Sequence, residues 1–256
     1  MELGLKGKVV MVSGASRGIG RAIALGFAAE GCCVSLCARG QDALDQVARE
    51  VQQRNTAALA VAGDVTKEDD AHRWVRETQK HFGKVDILIN NAGGSRPGGN
   101  LTASREDWFG GFNLNFFSAL ELCRIVVPLM SVQQSGCVIN IASVYGREWG
   151  GPMTYNASKA AMISLSKEMA RELAPQGIRV NSVAPGSILF PGGSWEKRQK
   201  DNPEGIAAFV KAELPFGRFG TPEEVADVVV YLVSDRARWV SGACINVDGC
   251  QSRSLI

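Results

Sequence analysis

Two spacings of apolar residues alternate along the chain. The runs "KVVMVS", "CCVSLCA", "AALAVAG", "VDILIN", "CVINIAS", "IRVNSVAP" and "ACINVDG" are short, rich in Val and Ile, and bounded by turn residues. Continuous apolar stretches of this length predict strands. The segments between them carry helical spacing. Residues 19 to 30 form one such segment, closed by Gly31; residues 67 to 82 follow "TKED", which reads as a capping box; and "TPEEVADVVVYLVS" places Thr221 as N-cap, Pro222 at the first helical position and Glu224 at the third. Strand and helix in regular alternation predict an α/β fold, a doubly wound parallel sheet of about seven strands with right-handed crossovers and helices on both faces. No linker or low-complexity tract divides residues 1 to 256, so a single domain is expected.

Composition agrees with that picture and removes some functions. The 256 residues are 45% hydrophobic and 21% charged, with a formal charge of +2. That is enough apolar material for one large core. Lys and Arg are scattered, without the basic stripe that a phosphate backbone demands, so nucleic acid is not an expected partner. The opening "MELGLKGKVV" has no apolar signal core, and runs such as "VADVVVYLV" are shorter than the roughly 20 residues that cross a bilayer. A cytoplasmic protein without membrane contact is expected. The seven cysteines lack CxxC spacing and have only His72 and His81 to assist them, so buried thiols and no metal site are expected. Cys37 lies near a candidate cofactor turn, but packing is its expected role.

In open parallel sheets ligands sit beyond the carboxyl ends of the strands, so the residues that follow the strands carry the functional information. After the first comes "VSGASRGIGRAIALGF". Glycines there allow a tight turn and let a pyrophosphate approach the amides and positive end of the next helix. With "NNAG" at 90 to 93 and "YNASK" at 155 to 159, this GxxxGxG spacing resembles the short-chain dehydrogenase/reductase family from Lys8 to Gly249, and its 3-oxoacyl-carrier-protein reductase-like members in particular. The resemblance implies a Rossmann-like fold and oxidoreductase activity between a ketone and a secondary alcohol.

It also implies a catalytic tetrad. "YNASK" supplies Tyr155 and Lys159, and "INIASVYG" supplies Ser143 at the end of the fifth strand. Two asparagines compete for the fourth place; the family pattern, seven residues after Trp108 and thirteen before Pro128, selects Asn115 over Asn113. The residue types suit the chemistry. A phenol with a pKa near ~10 needs a neighbouring cation to act at neutral pH, and Lys159, four residues on, shares its helix face. Tyr155 would protonate the carbonyl oxygen in the reductive direction while the Ser143 hydroxyl holds that oxygen. The resemblance assigns Asn115 to shaping a helix and holding a water that relays protons through Lys159. Taken singly, each of the four has an ordinary structural role; together at this spacing they point to catalysis.

For the cofactor, the resemblance implies contacts from Gly14, Ser16, Arg17, Gly18, Ile19 and Gly20. An acid at the end of the second strand would bind the ribose hydroxyl of NAD, whereas an arginine would pair with the 2′-phosphate of NADP. Ala38 holds the acid's position and Arg39 follows, with Arg17 as a second cation, so NADP(H) is expected and NAD(H) is the alternative. Asp64 and Val65 are implied at the adenine, and Asn91, Ala92 and Gly93 at the adenosine ribose. Pro185, Gly186 and Ile188 in "VAPGSILF" are implied at the nicotinamide, with Phe190 standing where the family has a threonine. Near the end, "VDGC" replaces a paired glycine by Cys250.

Residues 187 to 214 occupy the family's variable substrate lid and mix Trp195, Phe209 and glycines with a charged middle. Trp149 and Arg96 are further candidates for the pocket, Arg96 for a carboxylate or phosphate. Carrier-protein docking would need cations before the fifth strand and on the active-site helix; "SVQQSG" has none and Arg171 is present. A small free ketone or alcohol is therefore expected as readily as an acyl carrier. The alternatives are an NAD-dependent alcohol or polyol dehydrogenase and a non-catalytic NADP(H) sensor. A homotetramer or dimer is implied, with residues 155 to 174 and 221 to 234 at its interfaces.

Overall fold

A computed structural model describes residues 2–95 and 99–255. All seven apolar runs form strands, β1 (Val9–Ser13), β2 (Cys33–Ala38), β3 (Ala58–Ala62), β4 (Ile87–Asn90), β5 (Gly136–Ile141), β6 (Ile178–Pro185) and β7 (Cys244–Val247). Between them lie α1 (Gly18–Ala29), α2 (Gln41–Gln52), α3 (Glu68–Phe82), α4 (Arg105–Phe112), α5 (Ser118–Gln133), α6 (Met153–Leu173), α7 (Ser194–Asp201), α8 (Pro203–Glu213) and α9 (Pro222–Val233). The strands make one sheet in the order β3-β2-β1-β4-β5-β6-β7, every neighbouring pair parallel. The chain winds outward from β1 through β2 to β3, then returns to β4 on the other side of β1. That reversal leaves a crevice beyond the carboxyl ends of β1 and β4.

Strand side chains alternate between two cores, as a pleat requires. Val10 and Val12, Ile87 and Ile89, and Ile139 point into a core shared with α1, α2 and α9. Met11, Leu88 and Val138 point the other way, into a core with α3, α5 and α6. Residues buried on both faces explain why the strands read as continuous apolar runs. A few polar side chains enter the second core in pairs. The indole of Trp74 donates to Ser35 at 2.9 Å, and Ser35 meets Thr78 at 2.7 Å.

Helix starts follow the sequence unevenly. Thr221 caps α9 in a reciprocal box with Glu224, with Pro222 in the first turn. The box read in "TKED" does not form. Lys67 is the N-cap of α3 without a side-chain bond, and the Thr66 hydroxyl instead donates to Asp64 at 2.8 Å. Glu68, Asp69 and Asp70 stabilise that helix start through the dipole.

The stretch Arg105–Gln133 is helical throughout and, by length and composition alone, long and apolar enough to cross a membrane, with an 18-residue window of mean hydropathy 1.4. No uninterrupted apolar run revealed it, because polar residues such as Asn113, Asn115 and Glu121 divide it. Here it packs Leu122, Cys123, Val126 and Met130 into the second core. One turn within it, Asn113–Phe117, widens to a π-helix.

Candidate active site

A cleft of about 710 Å³ opens at the β1/β4 reversal. The glycine turn forms its floor. Gly14 has φ +65°, a left-handed conformation that favours glycine, and a Cβ on Gly20 would lie 2.3 Å from the Gly14 carbonyl oxygen. Asn91 holds the turn in place, its amide donating to the carbonyls of Ser13 at 2.9 Å and Gly14 at 3.2 Å. The Ser13 hydroxyl in turn accepts the amides of Asn91 and Ala92. No side chain caps α1 and no acid lies in its first turn. Its free amides and positive end suit an anion.

Gly14, Ser16, Arg17, Ile19 and Gly20 all line the cleft. Gly18 does not, since the ring of Phe190 packs on it so closely that a Cβ would meet the ring at 2.6 Å. Arg17 donates to the Gly192 carbonyl at 2.9 Å, clipping the 190–193 loop to the glycine turn. Of the two arginines expected at a 2′-phosphate, one is therefore engaged elsewhere. Arg39 is exposed on the cleft wall beside Ala38, and no carboxylate among the described residues pairs with it. Asp64 and Val65 complete that wall. The Cys37 thiol is buried there, and burial pushes it up to about 12, which makes it a packing residue.

At the opposite end, Ser143, Tyr155 and Lys159 come together with Pro185, Gly186 and Ile188. β5 stops at Ile141, so Ser143 stands two residues beyond it, as the N-cap of a short 3-10 turn, and accepts the Tyr145 amide at 3.2 Å. Tyr155 and Lys159 share one face of α6, with Nζ 5.7 Å from the Tyr155 ring centroid. The lysine is 3% exposed and donates to the Ile141 carbonyl at 2.7 Å. Burial pulls its ammonium down to about 7. Burial also lifts the Tyr155 phenol above its usual range, and the Ser143 side chain works against that rise.

The π turn presents Asn115. Its side chain donates to the carbonyls of Gly111 and Gly94, each at 3.0 Å, and accepts the Gly94 amide at 2.9 Å. Gly111 lies four residues back, so the Asn115 side chain ties the wide turn to the helical turn before it. A Cβ on Gly93 would lie 2.8 Å from the Asn115 oxygen and 3.2 Å from the lysine nitrogen. Glycine at 93 therefore lets the two side chains converge. Asn113 is exposed on the other side of the turn.

Other residues are placed less centrally. Trp149 is 88% exposed and does not line the cleft, contrary to the expectation for the loop after Ser143, which holds it at its tip. Arg96 lies outside the described residues. Phe190 and Trp195 do line the cleft. The sequence marked them only as a replaced threonine and a lid aromatic. Far from the cleft, Glu68 and His72 of α3 meet Glu121 of α5, the His72 Nε2 being 3.7 Å from Glu121, which Arg124 also pairs at 3.0 Å. They are the one cluster of metal-ligating type among the described residues.

A parallel α/β sheet with a glycine turn at its reversal, and a Ser–Tyr–Lys group facing that turn, defines a nicotinamide-dependent oxidoreductase. A family profile described as enoyl-(acyl carrier protein) reductase matches residues 14–250. A 3-oxoacyl-[acyl-carrier-protein] reductase of Thermotoga maritima is 37% identical over 96% of this chain and 98% of its own. Among solved structures, L-sorbose reductase from Gluconobacter frateurii, complexed with NADPH and L-sorbose, superposes with a TM-score of 0.94 at 34% identity, covering 100% of both chains. A 7α-hydroxysteroid dehydrogenase complexed with NADH and 7-oxo glycochenodeoxycholic acid gives 0.91 at 33% identity over 100% of this chain and 98% of that one. The chain belongs to the short-chain dehydrogenase/reductase family and is an oxidoreductase of the CH–OH/C=O type.

Proposed function

We propose that the chain interconverts a ketone and a secondary alcohol with NADP(H), using Tyr155 as general acid and base. The observation that carries this reading is the convergence of Ser143, Tyr155 and Lys159 at one end of a cleft whose other end is a glycine turn and Arg39. The turn fits a dinucleotide, since added Cβ atoms at Gly14 and Gly20 would close it. Bound there, the cofactor supplies or accepts the hydride. Arg39 would hold a 2′-phosphate, Asp64 and Val65 the adenine, Asn91 to Gly93 the ribose, and Pro185, Gly186 and Ile188 the carboxamide end.

The chain's own residues handle the proton. Ser143 orients the substrate oxygen and Tyr155 gives it a proton in reduction or takes one in oxidation. Lys159, with a pKa near neutrality, exchanges protons with water held near Asn115 and restores Tyr155. Asn115, through its bonds to Gly94 and Gly111, keeps the wall of that path in place. The four-residue interval between Tyr155 and Lys159 supports carbonyl reduction over enoyl reduction, whose enzymes separate the pair more widely.

Residues 187 to 214, which hold α7 and α8, act as the substrate lid of a single catalytic domain in the cytoplasm. Exposed Phe109, Phe117 and Met153 on one side and Tyr231 and Trp239 on another support a homotetramer or dimer. A 3-oxoacyl thioester is one substrate this site suits, because its relatives are so named; the exposed Arg171 of α6 is a cation kept for a carrier. The test is initial rate at 340 nm with NADPH and NADH on an acetoacetyl thioester and small ketones. Rapid turnover with NADPH that a Tyr155→Phe variant loses by about 10³-fold supports the reading. A fully active variant would overturn it.

A further inference from the structure

Beside the cleft stands a cation that no carboxylate pairs among the described residues. On α7, Trp195 and Arg198 lie three residues apart on one face, and the guanidinium carbon of Arg198 sits 4.9 Å from the Trp195 ring centroid. Trp195 is fixed in turn. It stacks on Phe209 of α8 at 4.8 Å and 24°, and leans on Phe219 at 5.1 Å. Trp195 lines the cleft, so this three-ring platform sets the arginine at the cleft's edge. Ring stacking leaves a guanidinium's edge N–H groups free, and it is the edge that grips a carboxylate or phosphate with two parallel bonds.

Acids are present nearby, but each is already occupied. Glu196 accepts from Lys200 at 3.1 Å and from the Gly192 amide at 2.8 Å. Glu213 pairs with Arg253 at 3.0 Å, and Glu148 accepts the Arg253 backbone amide at 2.8 Å. Among the described residues no carboxylate lies within ion-pair distance of Arg198, and no hydrogen bond engages its guanidinium. Tyr145 follows Ser143 by two residues and is bonded to it through its backbone amide. The Tyr145 hydroxyl likewise has no hydrogen-bond partner among the described residues. Burial raises that phenol's pKa, and the positive charge of Arg198 is the largest influence pulling it back, ahead of the opposing Glu148 and Glu213. The charge of Arg198 therefore reaches Tyr145, which is bonded to Ser143.

We propose that Arg198 is the anion-recognising residue of the substrate site, selecting ketones or alcohols that carry a carboxylate or phosphate at the end of a short apolar spacer. The spacer would lie against Trp195, with the reacting carbon reaching Ser143 and Tyr155 and the anion remaining at Arg198 and Tyr145. This rests on the ketone-reductase reading of the same cleft.

The experiment compares kcat/KM with NADPH for 5-oxohexanoate against its methyl ester, and for dihydroxyacetone phosphate against dihydroxyacetone, in the parent, Arg198→Ala and Arg198→Lys. A charge-assisted bidentate contact predicts an anion-over-neutral ratio of about 10 to 100 in one pair, which of the two identifying the anion. Arg198→Ala should bring that ratio to about one through KM, and Arg198→Lys should restore part of it. A ratio near one in the parent, or one that survives Arg198→Ala, overturns the proposal. If no ketone turns over, the reductase reading fails separately, and calorimetric binding of 5-oxohexanoate and its ester to the NADP-loaded protein decides the role of Arg198. Equal affinity for acid and ester would end it, and tighter binding of the acid that Arg198→Ala abolishes would sustain it.

Discussion

Lys159 donates to the carbonyl of Ile141 at 2.7 Å while its ammonium stays 5.7 Å from the centre of the Tyr155 ring. The lysine is thus anchored to the end of β5 and faces the phenol, and no carboxylate among the described residues pairs with it. Burial alone lowers its pKa from 10.5 to about 7. Between those values the unfolded chain holds a proton that the folded chain has released, so stability rises with pH across that window, and the cost of burial is full below about 7.

Replacing Lys159 by Met removes that cost. The variant should gain stability relative to the parent, and the gain should be larger at pH 6 than at pH 9 by about 3 kcal/mol. Urea unfolding of both proteins at the two pH values checks it. The same difference at both would show that the lysine is not depressed by burial.

Ser143 opposes the rise that burial imposes on Tyr155. In alcohol oxidation the phenolate is the active form, so the rate rises with pH through the Tyr155 pKa. A Ser143→Ala variant should move that limb to higher pH and lower kcat by about 10²-fold. Full pH–rate profiles with a simple secondary alcohol separate the two effects. A slower variant with an unmoved limb would mean that Ser143 serves the substrate oxygen alone.

The two cleft arginines should behave differently. Arg39 is free on the wall, whereas Arg17 is committed to Gly192. Arg39→Ala should weaken NADPH binding by about 10- to 100-fold and leave NADH nearly unchanged. Arg17→Ala should alter both cofactors alike and speed hydrogen exchange in residues 190–200, because it releases the clip. Fluorescence titration and exchange mass spectrometry distinguish them; a selective NADPH defect in Arg17→Ala would reverse the assignment.

Cys250 has φ +65°, the left-handed conformation that glycine adopts freely and a side chain does not. Its turn braces the segment after β6, where the Gln251 side chain accepts the Ser187 amide at 2.7 Å. Cys250→Gly should raise stability by about 1 kcal/mol, read as a higher melting temperature with unaltered kinetics. A drop would show that the thiol contributes packing that outweighs the backbone strain.

Much of the fold was written in local pattern. Seven strands appear where apolar runs predict them because strands covered on both faces are apolar at most positions, so a short stretch suffices to recognise them. Tyr155 with Lys159 on α6, and Thr221 with Glu224 at the start of α9, are about one turn apart, and spacing alone brings them together. Other features depended on residues far away in the chain. Asn113 is exposed beside buried Asn115 in a π turn whose Asn115 side chain bonds the carbonyls of Gly94 and Gly111, and helical periodicity does not register that widening. Arg17 was legible as a loop cation, but its bond to Gly192 spans 175 residues. Gly18 was legible as part of a glycine turn, but not as the seat of the Phe190 ring. Thr66 could have capped α3 and instead bonds Asp64. The near-neutral pKa of Lys159 belongs to the same group, since a residue's place on its helix is a matter of sequence, whereas desolvation is the sum of everything the completed fold packs around it.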